Sequence, residues 1–156
     1  MAAAARNRDV IIEHPNREKA ASKATKATVI VLLLASVALI AIVTVGGWDA
    51  LEGAKPVQLA YLAIYLVMAY YVARWNRGVL PVIAALAIIM AIFAAVATPE
   101  WFDRTKDGFT SPTLDEGVLG TITAIIVPAQ ALLIAFAMRG FAQAWNVEVE
   151  RQVERS

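Results

Sequence analysis

Four stretches of this chain, residues 27–48, 56–73, 78–99 and 117–138, contain no Asp, Glu, Lys, Arg or His. Each is 18 to 22 residues long, and a helix needs about 20 residues to cross the hydrocarbon core of a bilayer. Hydrocarbon offers no water to the backbone, so every N–H and C=O of such a run must be paired within it, which makes the run an α-helix. The competing explanation is a set of buried core helices in a soluble protein. Composition decides against that: 60% of the 156 residues are hydrophobic and 17% are charged. The connection between the second and third stretches is only residues 74–77, so little polar surface remains to cover four apolar helices. The sequence therefore predicts an all-α integral membrane protein, a four-transmembrane-helix bundle.

The placement of Lys and Arg sets the expected orientation, because cytoplasmic loops carry the excess. Arg6, Arg8, Arg17, Lys19, Lys23, Lys26, Arg74, Arg77, Arg139, Arg151 and Arg155 fall on one side, and Lys55, Arg104 and Lys106 on the other. Eleven against three predicts both ends inside. Heavy Ala and Arg usage suits a GC-rich bacterium, so the expected location is a bacterial plasma membrane, multi-pass, N-in and C-in. The 26 mostly polar residues before the first stretch, and the length of that stretch, fit a span rather than the core of a cleaved signal peptide.

The chain divides into a cytoplasmic N-terminal tail with a juxtamembrane helix (1–26), a membrane domain (27–147, spans 27–48, 56–73, 78–99 and 115–147) and a cytoplasmic C-terminal helix end (148–156). Asn16 is suited to cap a helix beginning at Arg17, preceded by an extended Val10-Ile11-Ile12 run. In the C-terminal tail, Trp145, Val149 and Val153 recur at i, i+4 and i+8, a narrow apolar stripe on a charged helix. Thr113 and Glu116 fit a capping box that starts the fourth helix at about Leu114. Pro128 lies within that helix, where it removes one backbone hydrogen bond and predicts a kink.

Helices two and four resemble each other at an offset of seventy residues: Val57, Leu62, Met68, Trp75 and Asn76 align with Val127, Leu132, Met138, Trp145 and Asn146. Gly47-Trp48-Asp49 and Glu100-Trp101-Phe102-Asp103 end the first and third helices alike. The pattern implies two tandem helical hairpins, a parallel internal repeat with its axis along the membrane normal.

Candidate chemistry is sparse. The single histidine, His14, lies in the tail and the chain has no cysteine, which removes bis-histidine haem ligation within the bundle and iron–sulfur clusters. Pumps and ion-coupled carriers mark their paths with intramembrane ionisable residues, and the four stretches have none. Net charge is +1, which gives no reason to expect a nucleic-acid partner. The segment from Asp103 to Gly108 partly echoes the start of a calcium loop, but the closing position is Leu114 rather than Glu, so an ordinary turn and no metal are expected.

Gln58, Tyr61, Tyr65 and Gln130 form a weak candidate pocket for a quinone or other lipophile, with Tyr61 and Tyr65 on one helix face. The same groups also suit hydrogen bonding between helices, the reading the pattern favours. Ala87, Ala91 and Ala95 make a small-xxx-small ridge open to close helix approach. This ridge and the stripe Trp145, Val149 and Val153 are the candidate partner interfaces. No cofactor and no catalytic constellation is visible. The expectation is a non-catalytic accessory or scaffold subunit of a larger membrane complex, in contact with the lipid bilayer and with other membrane subunits or copies of itself. A small oligomeric transporter, channel or lipid-handling protein is the alternative, and a quinone- or lipophile-binding component a third.

Overall fold

The computed structural model describes residues 10–104 and 113–152. Its long elements are four helices: α1 (Ala20–Gly46), α2 (Lys55–Ala73), α3 (Leu80–Asp103) and α4 (Glu116–Ala142). All four are long and apolar enough to cross a membrane. The shortest, α2, has 19 residues, about 28 Å at 1.5 Å per residue, which matches a hydrocarbon core of about 30 Å. Their outer surfaces are as apolar as their packed ones. Val31, Val45, Ile92 and Val96 are each more than half exposed, while Val29, Leu33, Ile40, Leu80, Ile83 and Leu133 are buried. A soluble bundle would set polar residues on the outward face.

α1 packs along both α2 and α4, and α3 packs along α4, whereas α2 and α3 touch only sparsely. The order around the bundle is therefore α2–α1–α4–α3, with a gap between its two ends. Small residues explain the closest pairing. Ala84, Ala87 and Ala94 of α3 are buried, and a Cβ added at Gly120 of α4 would lie 2.9 Å from the Phe102 ring. Backbones approach this closely only where side chains are small. Of the sequence-predicted ridge, Ala87 is buried, Ala91 half-buried and Ala95 exposed. A step of four residues overshoots a turn of 3.6 by about 40°, so the third alanine has rotated away from the face that holds the first.

At one end of the bundle, called here the far end, α1 closes against the start of α4. The Leu114 N–H donates to the Gly46 carbonyl (3.0 Å), and the Leu114 side chain occupies the space a Cβ at residue 46 would need. The N-cap of α4 is Asp115, whose carboxylate accepts from Gly117 N–H at 2.9 Å. This corrects the expected Thr113 capping box: the helix starts at Glu116. α4 then runs through Pro128 without interruption. α3 ends at Asp103; the rest of the calcium-like segment, from Thr105 to Gly108, lies outside the described residues.

The opposite end, the clasp end, differs most from expectation. α4 stops at Ala142 rather than continuing to residue 147, and the C-terminal segment is not helical. Val149–Gln152 is a strand (β2) paired antiparallel with Val10–Glu13 (β1), with Ile12 opposite Glu150. Ala144 has φ of 52°, which ends the helix, and the β-branched Val10, Ile11, Ile12, Val147 and Val149 favour extended pairing. Trp145 is fully buried, so it is not part of an exposed stripe with Val149; Val153 lies outside the described residues. Asn16 caps nothing. It sits in a single helical turn, Pro15–Glu18, and extended backbone at Lys19 separates that turn from α1. The Asn16 amide donates to the Ala144 carbonyl and Arg17 Nε to the Trp145 carbonyl, each at 2.9 Å, serving carbonyls that lie past the last turn of α4.

The absence of cysteine makes this pairing directly testable. The double variant Ile12→Cys/Glu150→Cys is expected to form a disulfide on mild oxidation, because directly opposed strand residues have the Cα separation a disulfide needs. Val10→Cys/Glu150→Cys, two residues out of register, is expected to cross-link far less. Equal cross-linking of both, read by mobility on a non-reducing gel, would remove the strand pairing.

Candidate functional site

Three buried polar side chains, each from a different span, meet in one seam. Tyr65 on α2 donates its hydroxyl to Gln130 Oε1 on α4 at 2.6 Å. Gln130 Nε2 donates to Ser36 Oγ on α1 at 2.9 Å, and Ser36 donates back to the Leu32 carbonyl at 2.7 Å. All three side chains are fully buried. The seam thus ties three helices through groups that would otherwise be unsatisfied in an apolar interior. Tyr61 lies one turn nearer the far end, its ring edge-on to Tyr65 with centroids 5.4 Å apart. Its hydroxyl donates across the gap to the Leu86 carbonyl of α3 at 2.8 Å. That bond marks where the gap between α2 and α3 is bridged.

From this bridge towards the far end the helices part and leave a cleft of about 550 Å³. Ile40 and Val43 of α1 and Thr123 and Ile126 of α4 line it from within the bundle. Val57 and Gln58 of α2 line it on one side, and α3 contributes residues from Met90 to Trp101 on the other. Phe93 and Val96 line it and are more than half exposed, so the cleft opens sideways between α2 and α3. A volume of this size falls in the roughly 300–1,000 Å³ range of small-molecule sites.

Gln58 carries the one amide of the cleft. It lies 2.5 Å from the Thr44 hydroxyl, which is also 2.6 Å from the Ile40 carbonyl. One hydroxyl proton serves only one of these acceptors, and among the described residues Gln58 has no second hydrogen-bond partner. Part of its amide capacity therefore remains for an occupant of the cleft.

The four sequence-predicted pocket residues do not form one pocket. Gln58 lines the cleft, Tyr61 bridges the gap beside it, and Tyr65 and Gln130 engage each other in the seam. Sequence reading passed over Met90, Ala94, Ala97, Glu100 and Trp101, which line the cleft from α3. Ala94 and Ala97 gave the available signal, since small residues beside bulky neighbours leave space, but which space depends on the facing helix.

At the clasp end, two tryptophans pack in the interior near the buried Ser22 and Thr25. Trp75 and Trp145 stack edge-to-face with centroids 5.1 Å apart, and Lys26 Nζ lies 4.3 Å from the Trp75 ring centre. Trp75 adopts φ of 63°, and Asn76 N–H returns to the Tyr71 carbonyl at 3.0 Å. This is a Schellman-type helix end with Trp where Gly is usual. The left-handed backbone costs about 1–2 kcal/mol, and packing of the indole against Trp145 offsets it. Arg77 Nε donates to the Phe141 carbonyl at 2.7 Å, which fastens the α2–α3 turn to the end of α4.

Tyr65→Phe leaves the Gln130 oxygen without its donor, and Gln130→Leu strands the Tyr65 hydroxyl and removes the bond that Ser36 accepts. Each single change is expected to lower stability in detergent by about 1–3 kcal/mol. The double variant is expected to cost less than the sum, with a coupling of about 0.6–1.7 kcal/mol. Strict additivity in reversible unfolding would show that the two groups do not interact. Comparison with protein-family models, with curated proteins and with solved structures finds no match for this chain.

Proposed function

We propose that this chain is a non-catalytic accessory or scaffold subunit of a larger membrane complex, set in a bacterial plasma membrane with both ends in the cytoplasm. The observation that carries this reading is the use of the intramembrane polar groups. Ser36, Tyr65, Gln130 and Tyr61 are engaged with one another or with backbone, and apart from Tyr70 and Tyr71 near the clasp end of α2 the outside of the bundle is chiefly apolar. Ala95, Ile92 and Val96 of α3 lie exposed, a surface suited to another transmembrane helix. The orientation rests on charge. The clasp end holds Arg17, Lys19, Lys23, Lys26, Arg74, Arg77 and Arg139, against Lys55 and Arg104 at the far end.

Tandem duplication is part of the same proposal. α1 pairs with α2 and α3 pairs with α4, as two hairpins would. A perfect repeat would make the α2–α3 seam as close as the α1–α4 seam, so the gap is where the halves have diverged. The cleft in that gap favours a second reading, a lipid-handling protein that works alone or as an oligomer.

Two experiments bear on these readings. Gly53 is exposed with open space beside it and Asn146 is exposed at the clasp end. In intact cells Gly53→Cys is expected to react with a membrane-impermeant thiol reagent and Asn146→Cys to remain unlabelled. The reverse pattern would invert the topology. Mild-detergent purification is expected to bring down foreign membrane chains, identified by mass spectrometry. Ala95→Leu, at an exposed position that leaves the bundle core untouched, is expected to reduce them several-fold at unchanged expression. A homogeneous preparation without foreign chains that moves a solute in vesicles would sink the subunit reading.

A further inference from the structure

The cleft has the dimensions and the chemistry of a site for one chain of a bilayer lipid. Along α3 it runs from Trp101 to Met90, eleven helical steps or about 16.5 Å. Half of a hydrocarbon core of about 30 Å is about 15 Å, so the cleft spans one leaflet. It opens sideways, past Val57, Phe93 and Val96, in the direction from which a lipid tail arrives. Apart from Thr123, whose hydroxyl donates to the Leu119 carbonyl, it is apolar along its depth. Its polar features stand at the far end or just below it: Gln58 on the α2 side and Glu100 on the last turn of α3.

The charges at this mouth discriminate between headgroups. Glu100 lines the cleft and makes no ion pair or hydrogen bond with any described residue. Lys55 begins α2 beside the lining residue Ala54, its ammonium 4.6 Å from the centre of the Trp48 ring. Lys55 thus stands next to the α2 lip without lining the cleft, while the α3 lip carries Glu100 and, one turn on, Arg104, whose guanidinium lies 6.0 Å from the centre of the lining Trp101 ring. A headgroup bearing both a phosphate and a primary ammonium matches this set, with the phosphate towards Lys55 or Arg104 and the ammonium towards Glu100. A purely anionic headgroup would bring its charge against the Glu100 carboxylate.

We propose that the cleft between α2 and α3 is a specific site for one zwitterionic aminophospholipid, its tail beside Met90 and its headgroup between Lys55 and Glu100. The proposal needs the helices to span a bilayer but does not depend on the subunit reading: lipid retention and co-purification of foreign chains are separate readouts. The test is native mass spectrometry of the full chain in detergent supplied with equal amounts of phosphatidylethanolamine and phosphatidylglycerol. The expected result is one retained phosphatidylethanolamine, favoured about tenfold, the scale of one charge-assisted contact. Glu100→Gln should bring that preference close to one. Ala97→Phe, which fills the cleft, and Val57→Trp, which blocks its opening, should each abolish retention, with helicity checked by circular dichroism. Wild-type protein that retains no lipid, or that retains phosphatidylglycerol equally well, overturns the proposal. So does retention that survives both cleft variants.

Discussion

An amide in the middle of an apolar bundle must find its hydrogen bonds inside the protein, and Gln130 finds them on two sides at once. Its oxygen accepts from Tyr65 of α2 and its nitrogen donates to Ser36 of α1. Leaving either group unsatisfied costs about 1–3 kcal/mol, against a net gain of about 0.5–1.5 kcal/mol from the bond itself, so this contact fixes the rotation of three helices about their axes. Apolar packing alone would not. Where all faces are hydrophobic, a rotated helix exchanges one set of Leu, Ile and Val contacts for another at little cost, and lipid competes equally well for each. The seam supplies the penalty that makes one arrangement preferred.

With α1, α2 and α4 fixed in this way, the position of α3 follows from α4. The alanines at 84, 87 and 94 and the close approach at Gly120 draw α3 onto α4. Nothing comparable draws it onto α2, where the Tyr61 bond to the Leu86 carbonyl is the bridge. The cleft is the consequence. α3 satisfies its small-residue face on one neighbour and, towards the far end, presents Phe93 and Val96 to the other side.

The two ends of the bundle are closed by different means. At the far end the backbone of Leu114 and the packing of its side chain on Gly46 join the last helix to the first. At the clasp end the termini join each other. The β1–β2 pairing, the Asn16 and Arg17 bonds to carbonyls beyond α4, and the Trp75–Trp145 contact all tie sequence-distant segments together. A two-stranded ribbon alone is marginal in water; here helix ends anchor both strands.

The existence, number and approximate limits of the four long helices were legible from the sequence, because exclusion of charge from about 20 consecutive residues is a property of each segment by itself. The suitability of Tyr65 and Gln130 as groups that bond across helices was legible for the same reason: a polar side chain within such a segment needs a partner. Partner identity was not. Local patterning gave Trp145 and Val149 a shared helical face, but a left-handed Ala144 and a strand contributed from residues 10–13 placed one in the core and the other on a ribbon. Helical spacing likewise grouped Ala87 with Ala95, whereas the position of α4 separated them. The cleft was hidden altogether, since an unfilled space belongs to no residue. Exclusion of charge along each segment settles which stretches are helices and which side chains need partners. Which partners they find, and where the packing stays open, is set by contacts between segments far apart in the chain, because those contacts fix helix rotation and neighbour choice.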